Sequence, residues 1–474
     1  MSVWTPMTQN IPAPPDVRGL STAEAVAFRG CWQALIKHQS SNKKRVEYYQ
    51  MHNTLKDLGI AIPTKLLLVE TVVGWPAKAV DALAVRSRFD GYVFEGDIDT
   101  WLPQILRDND FYNLYYQATV SELMAGCVFA TLSVGALDEP EVLITMHSAR
   151  SAAGVWDYRK KRIGAGIVIV ATDEKNKNPT AINFYTDDAV IEIEMTKWGG
   201  WKATRKPHRL RRPLMEPLVF RPSLERPFGK SRISRAVMAL TDSAVRAALR
   251  SEVASEFITA PQKYLMGIDD DLLDDIKGKQ WDAYIGSIFA VSTNSEDTKP
   301  TFGQLSQGTM QPHIDYMRNL AARFASETSI PVSSLGVIQD NPSSAEAIYA
   351  AKEDLIIEAD ALNATNGNSL RNIGLMTLAI SQNKSVEELS DAEKTLMAKF
   401  KPADRPSIVS QADAMVKQVT AIPWIGETTV ALEALGYTAD QIARMKSEKT
   451  AAVAEGLIRS IAQGQHQQAP QQGE

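Results

Sequence analysis

The 474-residue sequence predicts an α+β chain in which a mixed helix-and-strand half is followed by long helices. Three observations carry this. The hydrophobic period changes from helical to strand-like after residue 126 and back again after residue 230. Short β-branched runs between 128 and 195 are separated by turn clusters such as Lys175-Asn176-Lys177-Asn178-Pro179. From Ser343 an apolar-periodic segment runs about forty residues, far beyond the usual 8–20 of a globular helix.

Composition bounds the rest. The chain is 44% apolar and 23% charged, with 51 Lys+Arg against 56 Asp+Glu and a formal net charge of -5. This is an ordinary globular balance, and the length allows two to four domains at roughly 100–200 residues each. The longest charge-free apolar run, Ile163 to Ala171, is far short of the ~20 residues of a membrane span. MSVWTPMTQNIPAPP has neither the basic region nor the apolar core of a signal peptide. Cys31 and Cys127 are too few for a disulfide framework or a zinc site and read as small buried apolar residues. The expectation is a soluble chain made in the cytosol. A mildly acidic chain also argues against a general phosphate-gripping DNA binder, which needs clustered Lys/Arg.

Taken in order, residues 1–19, with Pro6, Pro12, Pro14 and Pro15, predict a flexible arm. Helices are expected at about 21–38, 43–58, 65–88 and 101–126. Pro76 should kink or split the third. Strands are expected at 128–134, 141–147, 166–172, 182–185 and 190–195, in a mainly antiparallel unit ending near Pro222. Lys202 to Arg235 holds 11 Lys/Arg against Glu216 and Glu225, a local charge of +9. With five prolines it reads equally as a surface for phosphate or an acidic protein face, centred on Arg205, Lys206, Arg209, Arg211 and Arg212, and as a solvated inter-domain loop.

Ser231 to Ile258 is strongly helical, with Ile233, Val237, Leu240 and Ala244 on one stripe and a span of ~40 Å. Residues 261–308 form a small insert. It carries an acidic run (Asp269, Asp270, Asp271, Asp274, Asp275), a short helix through Trp281 and a strand at Ile288-Phe289-Ala290-Val291. A second helix, Gln311 to Thr328, follows, so the insert sits at the tip of a helical hairpin if the two helices run antiparallel. Ile330 to Asn341 is a loop. Ser343 with Glu346 has capping-box spacing and opens a helix to about Asn383. Asn363-Ala364-Thr365-Asn366-Gly367-Asn368 should kink it or present a polar stretch. Beyond Ser385 everything reads as helical (385–399, 408–421, 427–435, 439–462), with Thr438 and Gln441 as a further capping box. Gly464 to Glu474, with five Gln, reads as disordered.

Catalytic and cofactor signatures are sparse. Gly229-Lys230-Ser231 lacks the upstream glycine of a phosphate loop, since that place is Leu224; Gly229 reads as a turn and Ser231 as a helix cap. Gly164-Ala165-Gly166 precedes a strand and lacks the third glycine of a dinucleotide site. Counted from Asp269, a calcium loop fails at Leu273 and Asp274. A two-carboxylate magnesium site there is outweighed by a solvated acidic face. The six histidines show no HExxH, and no Gly-x-Ser-x-Gly elbow occurs. No cofactor, metal or catalytic residue is assigned.

The order of elements resembles the portal proteins of tailed double-stranded DNA bacteriophages. It rests on Pro227-Phe228-Gly229-Lys230-Ser231-Arg232 opening a helix, the 261–308 insert, Ile314 to Ile330 leading to Pro331, Ser333-Ser334-Leu335-Gly336 with its loop, and the long helix from Ser343. Tyr48-Tyr49, Leu58-Gly59-Ile60-Ala61-Ile62-Pro63, Val73-Gly74-Trp75-Pro76 and Asp90-Gly91 resemble the branch found in siphophages of actinobacteria. The likeness covers roughly residues 40–460, and no single motif in it is specific.

The resemblance implies a portal fold with an α/β wing, a two-helix stem, a small α/β clip, a long spine helix and an all-helical crown. Its divisions are the arm 1–19, wing 20–230, first stem helix 231–258, clip 259–310, second stem helix 311–330, tunnel loop 331–342, spine 343–384, crown 385–463 and tail 464–474. It further implies a structural ring, usually of twelve copies, at one capsid vertex of the virion. Duplex DNA passes through it during packaging and ejection without sequence-specific contact. Implied partners are the major capsid protein, the terminase large subunit and the head–tail connector or adaptor, with a scaffold as a further candidate. Val337, Ile338, Gln339, Asp340 and Asn341 would tip the tunnel loop; Asp269, Asp270, Asp271, Asp274, Asp275 and Trp281 would belong to the partner-binding clip. The competing readings are another virion adaptor or minor capsid protein, and a soluble enzyme with a dispersed site in 20–225.

Overall fold

The computed structural model describes residues 11–53, 71–96, 98, 100–173, 178–259, 263–268, 288–292, 301–304, 308–336, 345–404, 408–437 and 439–465. The chain forms two compact units, Met1–Ala403 and Asp404–Glu474.

In the first unit, residues 11–18 are fastened rather than free. Ile11 is buried, Trp32 Nε1 donates to Pro12 O at 2.9 Å, and β1 (Val17–Arg18) pairs in parallel with a later strand. The expected flexible arm is therefore corrected over this part. Ser21 and Glu24 form a capping box and open α1 (Thr22–Tyr49), one helix where two were expected. No Gly or Pro interrupts the polar 39–42 stretch, and Asn42 bonds Ala149 O at 3.1 Å. α2 (Trp75–Ala84) carries Pro76 in its first turn instead of being kinked by it, as suits a residue with fixed φ and no N–H. β2 (Arg88–Val93) follows. The expected 101–126 helix is two, α3 (Leu102–Asp108) and α4 (Phe111–Ala125). They break at Asp110, whose φ is 45°.

Eight strands then run in succession: β3 (Cys127–Val134), β4 (Val142–Ser148), β5 (Ala152–Asp157), β6 (Arg162–Thr172), β7 (Pro179–Tyr185), β8 (Ala189–Met195), β9 (Trp201–Pro207) and β10 (Met215–Val219). They make a six-stranded sheet, β1-β9-β8-β7-β6-β5, and a three-stranded sheet, β10-β3-β4. β9 and β10 lie inside the segment expected to be loop. β9 reads as loop because its outward side chains are Lys202, Thr204 and Lys206, while the inward Trp201 and Ala203 pack on the core. In β10, Pro217 is tolerated opposite Phe129.

Next come α5 (Arg235–Thr259), then β11 (Lys263–Ile268), β12 (Ile288–Ser292) and β13 (Thr301–Gln304), then α6 (Gln311–Thr328). The three strands form a sheet of order β12-β11-β13, with β11 parallel to β12 and antiparallel to β13. A 3-10 turn, Val332–Leu335, ends at Gly336 with φ 82°. α7 (Ala345–Ser381) is continuous for 37 residues, about 55 Å at 1.5 Å per residue. α8 (Asp391–Lys394) leads into β14 (Met397–Lys401), antiparallel to β2. This corrects the all-helical reading from 385 onward: 385–403 belongs to the first unit and contains a strand. Met, Ala and Lys are good helix formers, but pairing with β2 overrides that preference.

The second unit holds α9 (Ile408–Ala421), α10 (Thr429–Ala434), which Thr428 caps and Gly436 follows, and α11 (Ala439–Gln465). The Ser343 and Thr438 caps, and residues 466–474 of the expected tail, lie outside the described residues. Residues 464 and 465 are helical. No described helix is long and apolar enough to cross a membrane.

Three cores organise the first unit. α1 packs Phe28, Cys31, Trp32 and Leu35 against Ile167, Phe184, Ile191 and Ile193 of the six-stranded sheet. A second core joins α2, α5, α6 and the first half of α7 through Leu83, Val237, Leu320, Phe324, Leu355 and Leu362. A third joins α3, α4 and sheet β10-β3-β4 to the second half of α7 through Leu370, Ile373 and Met376. One helix thus belongs to two cores.

Candidate functional site at the root of the helical hairpin

α5 and α6 pack together, and the residues just ahead of α5 meet the end of α6. Ser234 Oγ donates to the Glu327 carboxylate at 3.1 Å, and Arg232 Nη2 donates to Thr328 O at 2.5 Å. The pair is therefore an antiparallel hairpin with the β11–β13 sheet between its helices in sequence. Trp75 of α2 packs on Phe324 of α6 with ring centroids 5.2 Å apart.

The root is built from backbone before side chains. Phe220 N donates to Gly126 O, Lys230 N to Phe220 O, and Arg232 N to Leu123 O. Gly229 makes this possible, since a Cβ there would lie 2.1 Å from Phe220 O and its φ is +66°. The expected cap, Ser231, instead donates to Met124 O at 2.6 Å. Ser234 is the residue that caps α5, accepting from Val237 N at 3.1 Å.

Arg232 fills the centre. Its side chain is 3% exposed; Nε donates to Ala79 O at 2.7 Å, and Nη1 pairs with Glu358 of α7. Arg221, with φ 48°, adds a second guanidinium to Glu358 at 2.8 Å. Burial pulls the Arg232 pKa down and the Glu358 charge opposes it. One cation thus ties α2, α6 and α7 to the start of α5. Chemically the arrangement is a positioning joint: it fixes helix directions and offers no activated nucleophile.

The long helix is fastened further along. Asn366 donates to Glu122 Oε2 at 2.9 Å and to Tyr115 OH at 3.2 Å. Asn372 donates to Glu216 Oε1 at 2.7 Å, and Arg371 donates to Lys394 O and Leu396 O. The polar 363–368 stretch, expected to kink α7 or present a polar stretch, leaves the helix continuous, and its Asn366 grips the core. A cleft of about 270 Å³ opens beside it, lined by Asn363, Gly367, Asn368, Arg371, Met397 and Phe400 among others.

The basic segment comes apart on inspection. Arg205 pairs with Glu24 at 2.6 Å, Lys206 with Glu192 at 2.5 Å, and the buried Arg212 with Glu216 at 2.6 Å. With Arg221 and Arg232 on Glu358, five of its cations have carboxylate partners, of which only Arg212 and Arg232 are themselves buried. Arg209 and Arg211 are exposed and face Glu388, whose carboxyl is held below the usual range first by the Ser385 N–H and further by both arginines. The carboxylates that reach the segment from other elements, Glu24, Glu192 and Glu358, offset three of its nine net positive charges. Asp269, Asp270, Asp271, Asp274, Asp275 and Trp281, and Val337 to Asn341, lie outside the described residues. Among the described residues no group of three or more His, Cys, Asp or Glu is placed to hold a metal. Both cysteines are buried, and burial pushes each thiol up to about 12.

Sequence reasoning named Arg232 and Asn366 only within longer stretches, without their roles, and gave no role to Glu358 and Glu122. The available signal was position: Glu358 and Asn366 interrupt the apolar stripe Leu355, Ala359, Leu362, Leu370 and Ile373 of α7. A charge or amide in such a stripe must be paired.

The chain is 24% identical to the portal protein of Mycobacterium phage D29 over 474 aligned residues, 95% of this chain and 93% of that protein. It is 24% identical to the portal protein of Mycobacterium phage L5 over 427 residues, 87% of this chain and 86% of that one. These relatives bear out the resemblance to phage portal proteins and support a phage portal role. No protein-family model matches the chain. Similar solved structures include the virion of a native gene transfer agent particle (TM-score 0.45, 10% identity, 82% of this chain and 94% of that one). Another is the neck of the native particle computed with C12 symmetry (TM-score 0.44, 10% identity, 76% and 89%).

Proposed function

We propose that this chain is the portal subunit of a tailed double-stranded DNA phage: a structural ring at one capsid vertex through which DNA enters and leaves. The observation that carries this is the likeness to two mycobacteriophage portal proteins over 95% and 87% of the chain. In this reading residues 20–230 are the wing and the α5–α6 hairpin is the stem. The β11–β13 module is the clip that meets the terminase large subunit and then the connector. The loop after Leu335 is the tunnel loop, α7 is the spine, and the crown begins after Ala403 rather than at 385. The major capsid protein, and a scaffold, would contact the ring from outside.

The physical argument concerns sliding. Duplex DNA carries one charge per ~1.7 Å, so a dense cationic lining would hold it by many phosphate contacts. Between 332 and 342 the only charged residue is Asp340, and Val337-Ile338-Gln339 offer apolar and amide contact that a moving duplex can slip past. The buried Arg212 and Arg232, which pair inside the fold, do not add to a gripping surface. The subunit needs no chemistry of its own when a separate motor supplies ATP hydrolysis, in keeping with the missing phosphate loop.

Gold labelling of DNA-filled particles with an antibody to this chain tests the reading. One label cluster per particle, at the tail vertex, is expected. Label spread over the shell, or absent from particles, would overturn it.

A further inference from the structure

We propose that Glu122 carries a proton at neutral pH and forms a two-bond acid–amide pair with Asn366, a clasp that holds the long helix α7 to α4 and weakens as that proton is lost. The inference is independent of the portal reading.

The geometry comes first. Asn366 Nδ2 donates to Glu122 Oε2 at 2.9 Å and to Tyr115 OH at 3.2 Å. Two atoms are then left over. Glu122 Oε1 and Asn366 Oδ1 are both buried and both lack a hydrogen-bond partner. As a carboxylate and an amide carbonyl, both can only accept. A single proton on Oε1 turns it into a donor, and the second bond of the proposed pair runs from it to Asn366 Oδ1.

The surroundings offer no other way to keep a charge there. Glu122 and Asn366 are both 0% exposed. On α4 the neighbour is Tyr115, whose hydroxyl also meets Ser87 Oγ at 2.8 Å. From β3 comes Cys127, a thiol that burial keeps protonated. From α1 comes Arg45, which donates to Ala125 O at 3.0 Å and to Asn42 Oδ1 at 3.2 Å. From α7 only Asn366 faces the carboxyl. Burial pushes Glu122 up to about 8, and the Asn366 hydrogen bond is what opposes it.

Position gives the pair its consequence. Asn366 lies between Leu362, in the core with α5 and α6, and Leu370, in the core with the β10-β3-β4 sheet. The clasp therefore sits where α7 passes from one core to the other. The sign of the effect follows from linkage. Opened or unfolded chain releases the Glu122 proton near 4.5, and packed chain keeps it to about 8. The clasp is at full strength below the lower value, weakens about tenfold per pH unit between the two, and levels off above the upper one.

Hydrogen exchange of α7 amides around 362–373, corrected for intrinsic rates, tests this on the full-length chain in its native assembly. Wild type should show an opening constant rising about tenfold per unit between pH 5 and 8 relative to Glu122→Gln. Gln supplies a permanent donor to Asn366 Oδ1, so its profile should be flat and should meet the wild-type profile near pH 5. A wild-type-to-variant ratio that stays constant with pH would overturn the proposal. Infrared difference spectra remain decisive if the Gln variant does not fold. A protonated-carboxyl carbonyl band present at pH 7, lost by pH 9 and shifted in Asn366→Ala supports the clasp, and its absence from wild type at pH 7 refutes it.

Discussion

Replacing Arg232 with Met is the sharpest perturbation of the hairpin root. The side chain is 3% exposed, and its partner Glu358 is 8% exposed. Removing the guanidinium strands the Thr328 carbonyl, takes one of two hydrogen bonds from the Ala79 carbonyl, and leaves Glu358 with Arg221, whose side chain is 60% exposed and well solvated. Breaking a buried ion pair from one side costs about 3–5 kcal/mol, because a charge remains in a site that water does not fill. Removing both partners takes away that stranded charge, so Arg232→Met with Glu358→Met should recover about half or more of the loss. What persists is mainly the cost of the unpaired Thr328 carbonyl, about 1–3 kcal/mol, since Ala79 lies inside α2 and its carbonyl keeps its helical acceptor role. The double-mutant cycle should therefore give a coupling of at least about 2 kcal/mol, read from denaturant midpoints. Faster exchange should appear at the start of α5 and the end of α6. A single-mutant cost below about 1 kcal/mol, or a coupling near zero, would refute the assignment of Arg232 as the joint.

Gly229→Ala should cost more than about 3 kcal/mol, because its Cβ would meet Phe220 O, an immovable backbone atom, at a φ that disfavours any side chain. Thermal unfolding reads it, and a neutral outcome would mean that the turn rearranges freely. Within the basic segment, Arg212→Ala should cost about 3 kcal/mol by stranding the buried Glu216. Arg209→Ala and Arg211→Ala should each stay within about 0.5 kcal/mol by the same assay. Equal effects at all three positions would contradict the division into internal and exposed cations. Thiol reagents at pH 8 should leave Cys31 and Cys127 unmodified in the native chain and modify both after denaturation, since burial excludes the reagent and pushes each thiol up to about 12.

The helical hairpin was largely legible in the sequence. α6 falls on Gln311–Thr328 as its period predicts, with Pro312 in the first turn and Ser329 ending it in a left-handed conformation. α7 was legible in length but not in continuity. Its Asn-rich stretch looks like an interruption until Glu122 and Tyr115 are placed opposite Asn366, 244 and 251 residues away in sequence. Strands were missed where their character is set by partners. β9 shows solvent-facing Lys and Thr, β10 contains a proline, and β14 is written in helix-forming residues. The +9 segment misled for the same reason. Counting charges along the chain cannot see Glu24, Glu192 and Glu358 arriving from other elements. The joint itself left only a faint trace, as charged and amide residues inside an apolar helical stripe.

End-view averages of the purified chain by negative-stain electron microscopy test the portal reading most directly. Rings of about a dozen subunits, with a central hole wide enough for duplex DNA, are expected. Uniform small particles at every concentration, persisting when the capsid protein is co-expressed, would contradict it.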